Sequence, residues 1–195
     1  PLSPKAVGSR LLGILERTAM APFELVEPIL PKSQGQESGS DPGSGNTGAG
    51  SDGIELSGTG GSTNNNKIYG NYIGTNPAGT APLANGRHGI VVYSGAQGTL
   101  IGGTGTGQGN IISGNMFTGL QIRGVAPTVQ GNYLGTTSAG TAAVPGTSTA
   151  IIVYQAVGAS IGGTMPGAGN LISGADLGVR IDDSTNTQIV GNLFG

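Results

Sequence analysis

The chain has 195 residues, of which 40 are glycine, while only 9% are charged, 4% are aromatic and none is cysteine. Glycine is about three times as frequent as in ordinary proteins, but it lacks the every-third-residue spacing of collagen. An apolar content of 35% with a net charge of −2 argues against disorder of the whole chain, and eight Lys and Arg against ten Asp and Glu argue against a nucleic-acid-binding surface. The lack of cysteine excludes disulfides and thiolate metal sites, and no apolar run approaches the roughly 18–20 residues of a membrane span.

Residues 1–32 differ in composition from the rest and carry seven of the eighteen charges. Ser3 is suited to cap a helix that begins at Pro4, and apolar residues that include Leu11 and Leu15 follow at helical spacing. Prolines then interrupt the pattern, and the stretch around Phe23 favours one extended strand. We expect an amphipathic cap that covers an open β-edge, with Leu11, Leu15 and Phe23 as candidate subunit contacts. A free, flexible leader is the alternative.

Residues 33–52 form a tract rich in glycine and serine, whose composition is typical of a linker. The sequence therefore predicts three parts: a cap over residues 1–32, a linker over 33–52 and a repetitive domain over 53–195.

The repetitive domain contains three blocks that share one period. The pentapeptide that begins at Gly70 returns at Gly131 and again at Gly191, so that its two intervals are nearly equal. The other two blocks, from Ile90 to Tyr93 and from Ile101 to Gly114, recur at the same interval of about sixty residues.

Shorter apolar segments divide this period further, into intervals of about 20 residues. They are rich in Ile, Val, Leu and Tyr, and Gly, Asn, Thr and Pro separate them, as expected of strands between turns. The pattern predicts a parallel β-helix of about seven coils of about 20 residues, three coils to each long repeat. Because the interval from Asn110 to Asn132 equals that from Asn170 to Asn192, we expect these asparagines to stack in successive coils as a structural ladder.

These motifs, G-N-x-[ILF]-G, I-G-G-T and G-N-[IL]-I-S-G, resemble the right-handed parallel β-helix repeats of large bacterial surface and secreted proteins of the pectin-lyase-like group. The resemblance covers about residues 52–195. It implies a right-handed, all-β solenoid and an extracellular or cell-surface location. It leaves function open, because that group includes lyases, hydrolases, epimerases, adhesins and structural stalks.

The last residues, Leu193, Phe194 and Gly195, fall in the middle of a repeat block. We expect either that the chain continues in a longer protein or that an open last coil stacks on another subunit. In the second case Leu193 and Phe194 are candidate contacts, and a head-to-tail contact that does not close into a ring produces a filament.

Charged residues are too few for catalysis of the kind that this fold commonly supports. Between Leu56 and Ala175 they are Lys67, Arg87 and Arg123 alone, which provide neither the carboxylate pair of a glycosidase nor a calcium cage. Asp182 and Asp183 are adjacent, but neighbours in a strand point to opposite faces. The single histidine, His88, lacks a nearby acid or second metal ligand in sequence.

We therefore expect a non-enzymatic structural protein without cofactor or metal: a filament subunit, stalk or adhesin segment that associates with itself. Surface glycans are a second class of partner, and a polysaccharide lyase or hydrolase and a carbohydrate-binding module are the alternatives. The binding module would need a row of exposed aromatic rings. Tyr93 and Tyr154 align, but three coils would separate them by about 14–15 Å, too far for adjacent sugars.

Overall fold

The computed structural model describes residues 51–57 and 63–195. The cap predicted over residues 1–32, with Leu11, Leu15 and Phe23, lies outside the described residues, as does the linker up to residue 50. The described parts contain no helix and fifteen short strands: β1 Ile54–Leu56, β2 Lys67–Ile68, β3 Tyr72–Ile73, β4 His88–Val92, β5 Leu100–Gly102, β6 Ile111–Ile112, β7 Thr118–Ile122, β8 Thr128–Gln130, β9 Tyr133–Leu134, β10 Thr149–Tyr154, β11 Ser160–Gly162, β12 Leu171–Ile172, β13 Leu177–Asp182, β14 Gln188–Val190 and β15 Leu193–Phe194.

The strands form three parallel sheets of five strands each. Sheet A has the order β1-β4-β7-β10-β13, sheet B contains β2, β5, β8, β11 and β14, and sheet C contains β3, β6, β9, β12 and β15. Each passage through A, B and C is one coil, so β1 to β3 form coil 1 and β13 to β15 form coil 5. The chain is a parallel β-helix, as predicted.

The predicted number of coils was wrong, because the described residues form five coils, each about half of the long repeat, rather than seven that are each a third of it. In sheet A, Ile90 pairs with Leu120, Leu120 with Ile151, and Ile151 with Val179. Two coils, not three, make the long repeat. The seven apolar segments behind this prediction all lie in sheets A and C. Coils 2 and 4 each contain two of them, one in sheet A and one in sheet C, so each of these coils counts twice.

Successive coils alternate in the position of their long loops. Coils 2 and 4 have eight-residue loops between sheets B and C, residues 103–110 and 163–170, whereas coils 1, 3 and 5 have two or three residues there. Coils 1 and 3 instead have fourteen residues between sheet C and the next strand of sheet A. We call coils 1, 3 and 5 odd and coils 2 and 4 even. Neighbouring coils are about 4.8 Å apart. Because a long loop occurs at a given place only in every second coil, each long loop can occupy the space of two coil spacings along the axis.

Apolar columns and an asparagine ladder run along the interior. Residues such as Ile101, Leu120 and Leu134 are completely buried. The ladder has one rung in each coil, formed by Asn71, Asn110, Asn132, Asn170 and Asn192. The backbone N–H of each of the first four asparagines donates to Oδ1 of the asparagine in the next coil at 2.9–3.0 Å. This confirms the predicted pairs Asn110–Asn132 and Asn170–Asn192 and joins them into one continuous ladder.

Candidate functional site

Coil 5, the last coil of this sequence, has several exposed apolar side chains. Ile181, Ile189 and Phe194 continue core columns that are buried in coil 4, yet they are 44%, 40% and 57% exposed. Leu193 is 69% exposed. We call this surface, formed by β13 to β15, the coil 5 face. Both predicted contact residues in the described chain, Leu193 and Phe194, lie on it. That they contact another subunit stays a prediction.

The coil 5 face also carries two backbone donors without acceptors among the described residues. In coil 3, the Gly131 N–H donates to the Ala168 carbonyl at 3.1 Å, and the Asn132 N–H donates to Asn170 Oδ1 at 2.9 Å. Both acceptors belong to the next coil. Gly191 and Asn192 occupy the same places in coil 5, where their N–H groups face outward from the last coil.

A second cluster lies on the outer side of sheet A. The Arg123 guanidinium lies between two tyrosine rings, 5.7 Å from the Tyr93 centroid and 4.7 Å from that of Tyr154. These tyrosines are two coils apart, about 9–10 Å, so the spacing of three coils predicted for them was wrong. Arginine held between two aromatic faces gains cation–π energy from each.

His88 and Gln121 extend this cluster. The Gln121 side chain can donate to His88 Nε2 at 3.2 Å while it accepts from Arg123 Nε at 3.1 Å and Arg123 Nη2 at 2.9 Å. His88 is only 9% exposed, and its Nδ1 has no hydrogen-bond partner in the described part of the chain. This arrangement requires neutral histidine, because Nε2 must accept the hydrogen bond from Gln121 and both nitrogens of protonated histidine are donors.

Asp52 is the acid near His88 that the sequence did not reveal, because it lies far earlier in the chain, at the end of the predicted linker. Its carboxylate accepts the backbone N–H of His88 at 3.0 Å and lies 3.7 Å from the Arg87 guanidinium. The bond is to the backbone and not to the imidazole, so the pair lacks the carboxylate–imidazole contact of a catalytic triad.

We expect His88 to make stability depend on pH. Burial lowers the pKa of His88 below its usual 6.5; Asp52 opposes this shift, and Arg87 and Arg123 reinforce it. The folded state thus favours neutral histidine, so this contribution to stability is complete above the unfolded-state pKa and is lost as pH falls through the lower folded-state pKa. Denaturant unfolding between about pH 7.5 and pH 5, above the range in which carboxylates usually titrate, should show a falling unfolding free energy. His88→Gln should make the unfolding free energy less dependent on pH over this range. An equal pH dependence of the two proteins would contradict this account.

The remaining acidic candidates do not form a site. Asp182 is paired with Arg180, with 2.7 Å between the carboxylate and Nε, and Asp183 occupies a left-handed backbone conformation with φ of 47°. Within residues 51–57 and 63–195, no three His, Cys, Asp or Glu side chains lie together as metal ligands would.

A shallow groove of about 1050 Å³ runs along the outside of sheet C. Tyr133, Leu171 and Leu193 contribute to its floor, and the long loops of coils 2 and 4, with Thr104 and Met165, form one wall. None of its lining side chains in the described chain is charged. The described residues that line the groove present hydroxyl, amide and apolar groups.

Comparisons with known proteins leave the chain without an identified relative. No helix among the described residues is long and apolar enough to cross a membrane. No family model, no curated protein and no solved structure matches the sequence or its fold.

Proposed function

We propose that this chain is a non-enzymatic structural protein, an extracellular or cell-surface β-helix module whose coil 5 face packs end to end against another β-helix coil. The observation that carries the proposal is the coil 5 face itself, where core columns and strand edges of a regular solenoid are open to solvent. Contiguous apolar surface and unpaired strand edges are typical of protein interfaces. Self-association into a filament or stalk is one way of covering this face.

The scarcity of charge supports a structural role over catalysis. Within the described coils, Asp182 is paired with Arg180, and the Asp52 carboxylate accepts the backbone N–H of His88. Incubation with pectin, alginate and related glycans in the presence of calcium should give no turnover. Turnover that Asp182→Ala abolishes would overturn the structural assignment.

The double substitution Leu193→Asp with Phe194→Asp tests the stacking surface. Carboxylates at two positions that are 69% and 57% exposed should leave the fold intact but prevent burial of this surface, because charge is costly to bury. In sedimentation velocity we expect association of the parent chain to increase with concentration, and the double variant to stay monomeric.

Met116→Asp provides a matched control, since Met116 is 60% exposed but lies on a connection of coil 2, away from the coil 5 face. It should associate like the parent chain. A parent chain that is monomeric at every concentration would contradict self-association, and equal association of all three proteins would place the contact elsewhere.

Binding of a neutral glycan is the second candidate, favoured by the uncharged groove on sheet C. Calorimetric titration with neutral and with uronic-acid oligosaccharides should show binding of the neutral ones only, weakened by Tyr133→Ala. Equal or stronger binding of the uronic-acid oligosaccharides would argue against this groove.

A further inference from the structure

The side chain of Gln121 joins two groups with competing hydrogen-bond requirements. It lies between His88, at the start of β4, and Arg123, which directly follows β7. The Arg123 guanidinium has only donors, and its Nε and Nη2 lie 3.1 Å and 2.9 Å from the Gln121 amide. The amide oxygen must therefore face Arg123, which leaves the amide nitrogen to donate to His88 Nε2 at 3.2 Å.

This orientation of the amide determines the protonation state of His88. Because Gln121 donates to Nε2, that nitrogen carries no hydrogen, and neutral His88 has its hydrogen on Nδ1. Nδ1 is buried and has no hydrogen-bond partner in the described part of the chain. The contact with Gln121 is thus the one that selects this form of the imidazole.

Protonation of His88 reverses the requirement. Both nitrogens of protonated histidine are donors, so Nε2–H needs an acceptor where Gln121 presents a donor. Turning the amide over would offer its oxygen to His88, but it would also point the amide N–H groups at two donors of Arg123. Gln121 can therefore satisfy Arg123 or protonated His88, but not both.

From this exclusion we infer that Gln121 is the relay of a proton-driven switch on the outer side of sheet A. A proton that binds His88 turns the Gln121 amide and releases Arg123 from both of its hydrogen bonds to that amide. The switch goes beyond the structural role proposed above and does not depend on end-to-end stacking.

Arg123 extends the effect of the switch over three coils. Its guanidinium belongs to coil 3 and lies between the rings of Tyr93 in coil 2 and Tyr154 in coil 4, 5.7 Å and 4.7 Å from their centroids. Cation–π attraction keeps a guanidinium near such rings, whereas the paired hydrogen bonds to Gln121 fix the direction of its N–H groups. Release by Gln121 therefore frees the guanidinium to turn between the two rings and to donate to solvent.

The surroundings of His88 determine the pH at which the switch operates. Burial has the largest effect and lowers the pKa of His88 below its usual 6.5; Asp52, before β1, raises it, and Arg87 and Arg123 lower it further. The Phe117 ring, which also lies near the imidazole, is uncharged. Arg123 is therefore bound to Gln121 above the lowered pKa of His88 and is released as pH falls through it.

An NMR titration of the full chain between about pH 7.5 and pH 5, above the usual range of carboxylates, tests the switch. The imidazole signals report protonation of His88. Solvent exchange of the Arg123 Nε–H, divided by that of free arginine in the same solution, reports release. We expect this relative exchange rate to rise by about tenfold or more, with the same midpoint as His88. Arg123 exchange that stays slow while His88 becomes protonated would overturn the switch, as would a His88 that stays neutral until the chain unfolds.

Gln121→Glu is the matched variant, because a carboxylate has nearly the shape of the amide but accepts on both oxygens. It can satisfy Arg123 and protonated His88 at the same time. We expect the pKa of His88 to be higher than in the parent chain, and Arg123 exchange to stay slow throughout the titration of His88. Release of Arg123 as His88 becomes protonated in this variant would show that repulsion between the two cations frees Arg123, and would overturn the relay role of Gln121. If the variant does not fold, the titration of the parent chain still decides whether the switch exists.

Discussion

Asn132→Ala should lower the unfolding free energy by about 3–5 kcal/mol, because buried groups left unpaired cost about 1–3 kcal/mol each. Asn132 is completely buried. Its Oδ1 accepts from Asn110 N–H at 3.0 Å and from Asn110 Nδ2 at 2.8 Å, and its Nδ2 donates to the Ile101 carbonyl at 2.9 Å. Alanine removes both functions, and water cannot enter the closed interior to replace them. Urea unfolding followed by circular dichroism measures the loss.

The end rung of the same ladder provides the control. Asn192 also accepts from the backbone N–H and Nδ2 of Asn170, at 3.0 Å and 2.8 Å, but these bonds are only partly buried. Solvent can replace a lost partner there, so Asn192→Ala should cost about 1 kcal/mol. Equal losses at Asn132 and Asn192 would contradict a ladder whose strength depends on burial.

Gly131→Ala should be comparably destabilising, by about 2–5 kcal/mol in all. At a φ of 66° a side chain costs roughly 1–2 kcal/mol. The added Cβ would also meet the Gly103 and Gly167 carbonyls, and such overpacking typically costs about 1–3 kcal/mol. Both obstacles are backbone atoms held by coils on either side, so neither can move aside as a side-chain end would.

Gly158→Ala separates the two causes. Gly158 has a φ of 69°, but a Cβ there meets nothing within 4 Å. We expect Gly158→Ala to lower the unfolding free energy by the backbone conformational cost alone, about 1–2 kcal/mol. If the two alanine variants unfold at the same denaturant concentration, the short turn of coil 3 is not enclosed as described.

The sequence was sufficient for the fold because the signals for a β-helix repeat many times along the chain. The asparagine ladder was predictable for the same reason, since Asn110 and Asn132 belong to identical Gly-Asn pairs. Coil length was not predictable from apolar segments alone, because coils 2 and 4 each contain two of these segments, one in sheet A and one in sheet C. The Gly-Asn pairs that directly precede a sheet C strand, at residues 70, 109, 131, 169 and 191, occur once in each coil, and their alternating spacing was the available signal for both coil length and coil type.

The side-chain clusters were less accessible than the fold. Tyr93, Arg123 and Tyr154 follow one another at intervals of one coil, so their stacking becomes visible only with the correct coil length. Asp52 was missed because its contact with His88 joins the end of a low-complexity segment to a strand much later in the chain. Leu193 and Phe194 are exposed in coil 5, and their predicted contact with another subunit stays a prediction.

Alternation of coil types has a consequence for how such modules assemble. Loops that need the height of two coils favour contacts between unlike coils, so the type of each end coil restricts which partner fits. This selects partners through loop length, independently of charge.

Backbone amide exchange of the full chain at low concentration tests the central claim most directly, namely that the coil 5 face is uncovered in this chain. The Gly131 and Asn132 amides should exchange slowly, because coil 4 provides their acceptors. The Gly191 and Asn192 amides should exchange at rates typical of exposed backbone. Equal protection of both pairs would show that another part of the chain already covers coil 5, and would contradict the stacking account.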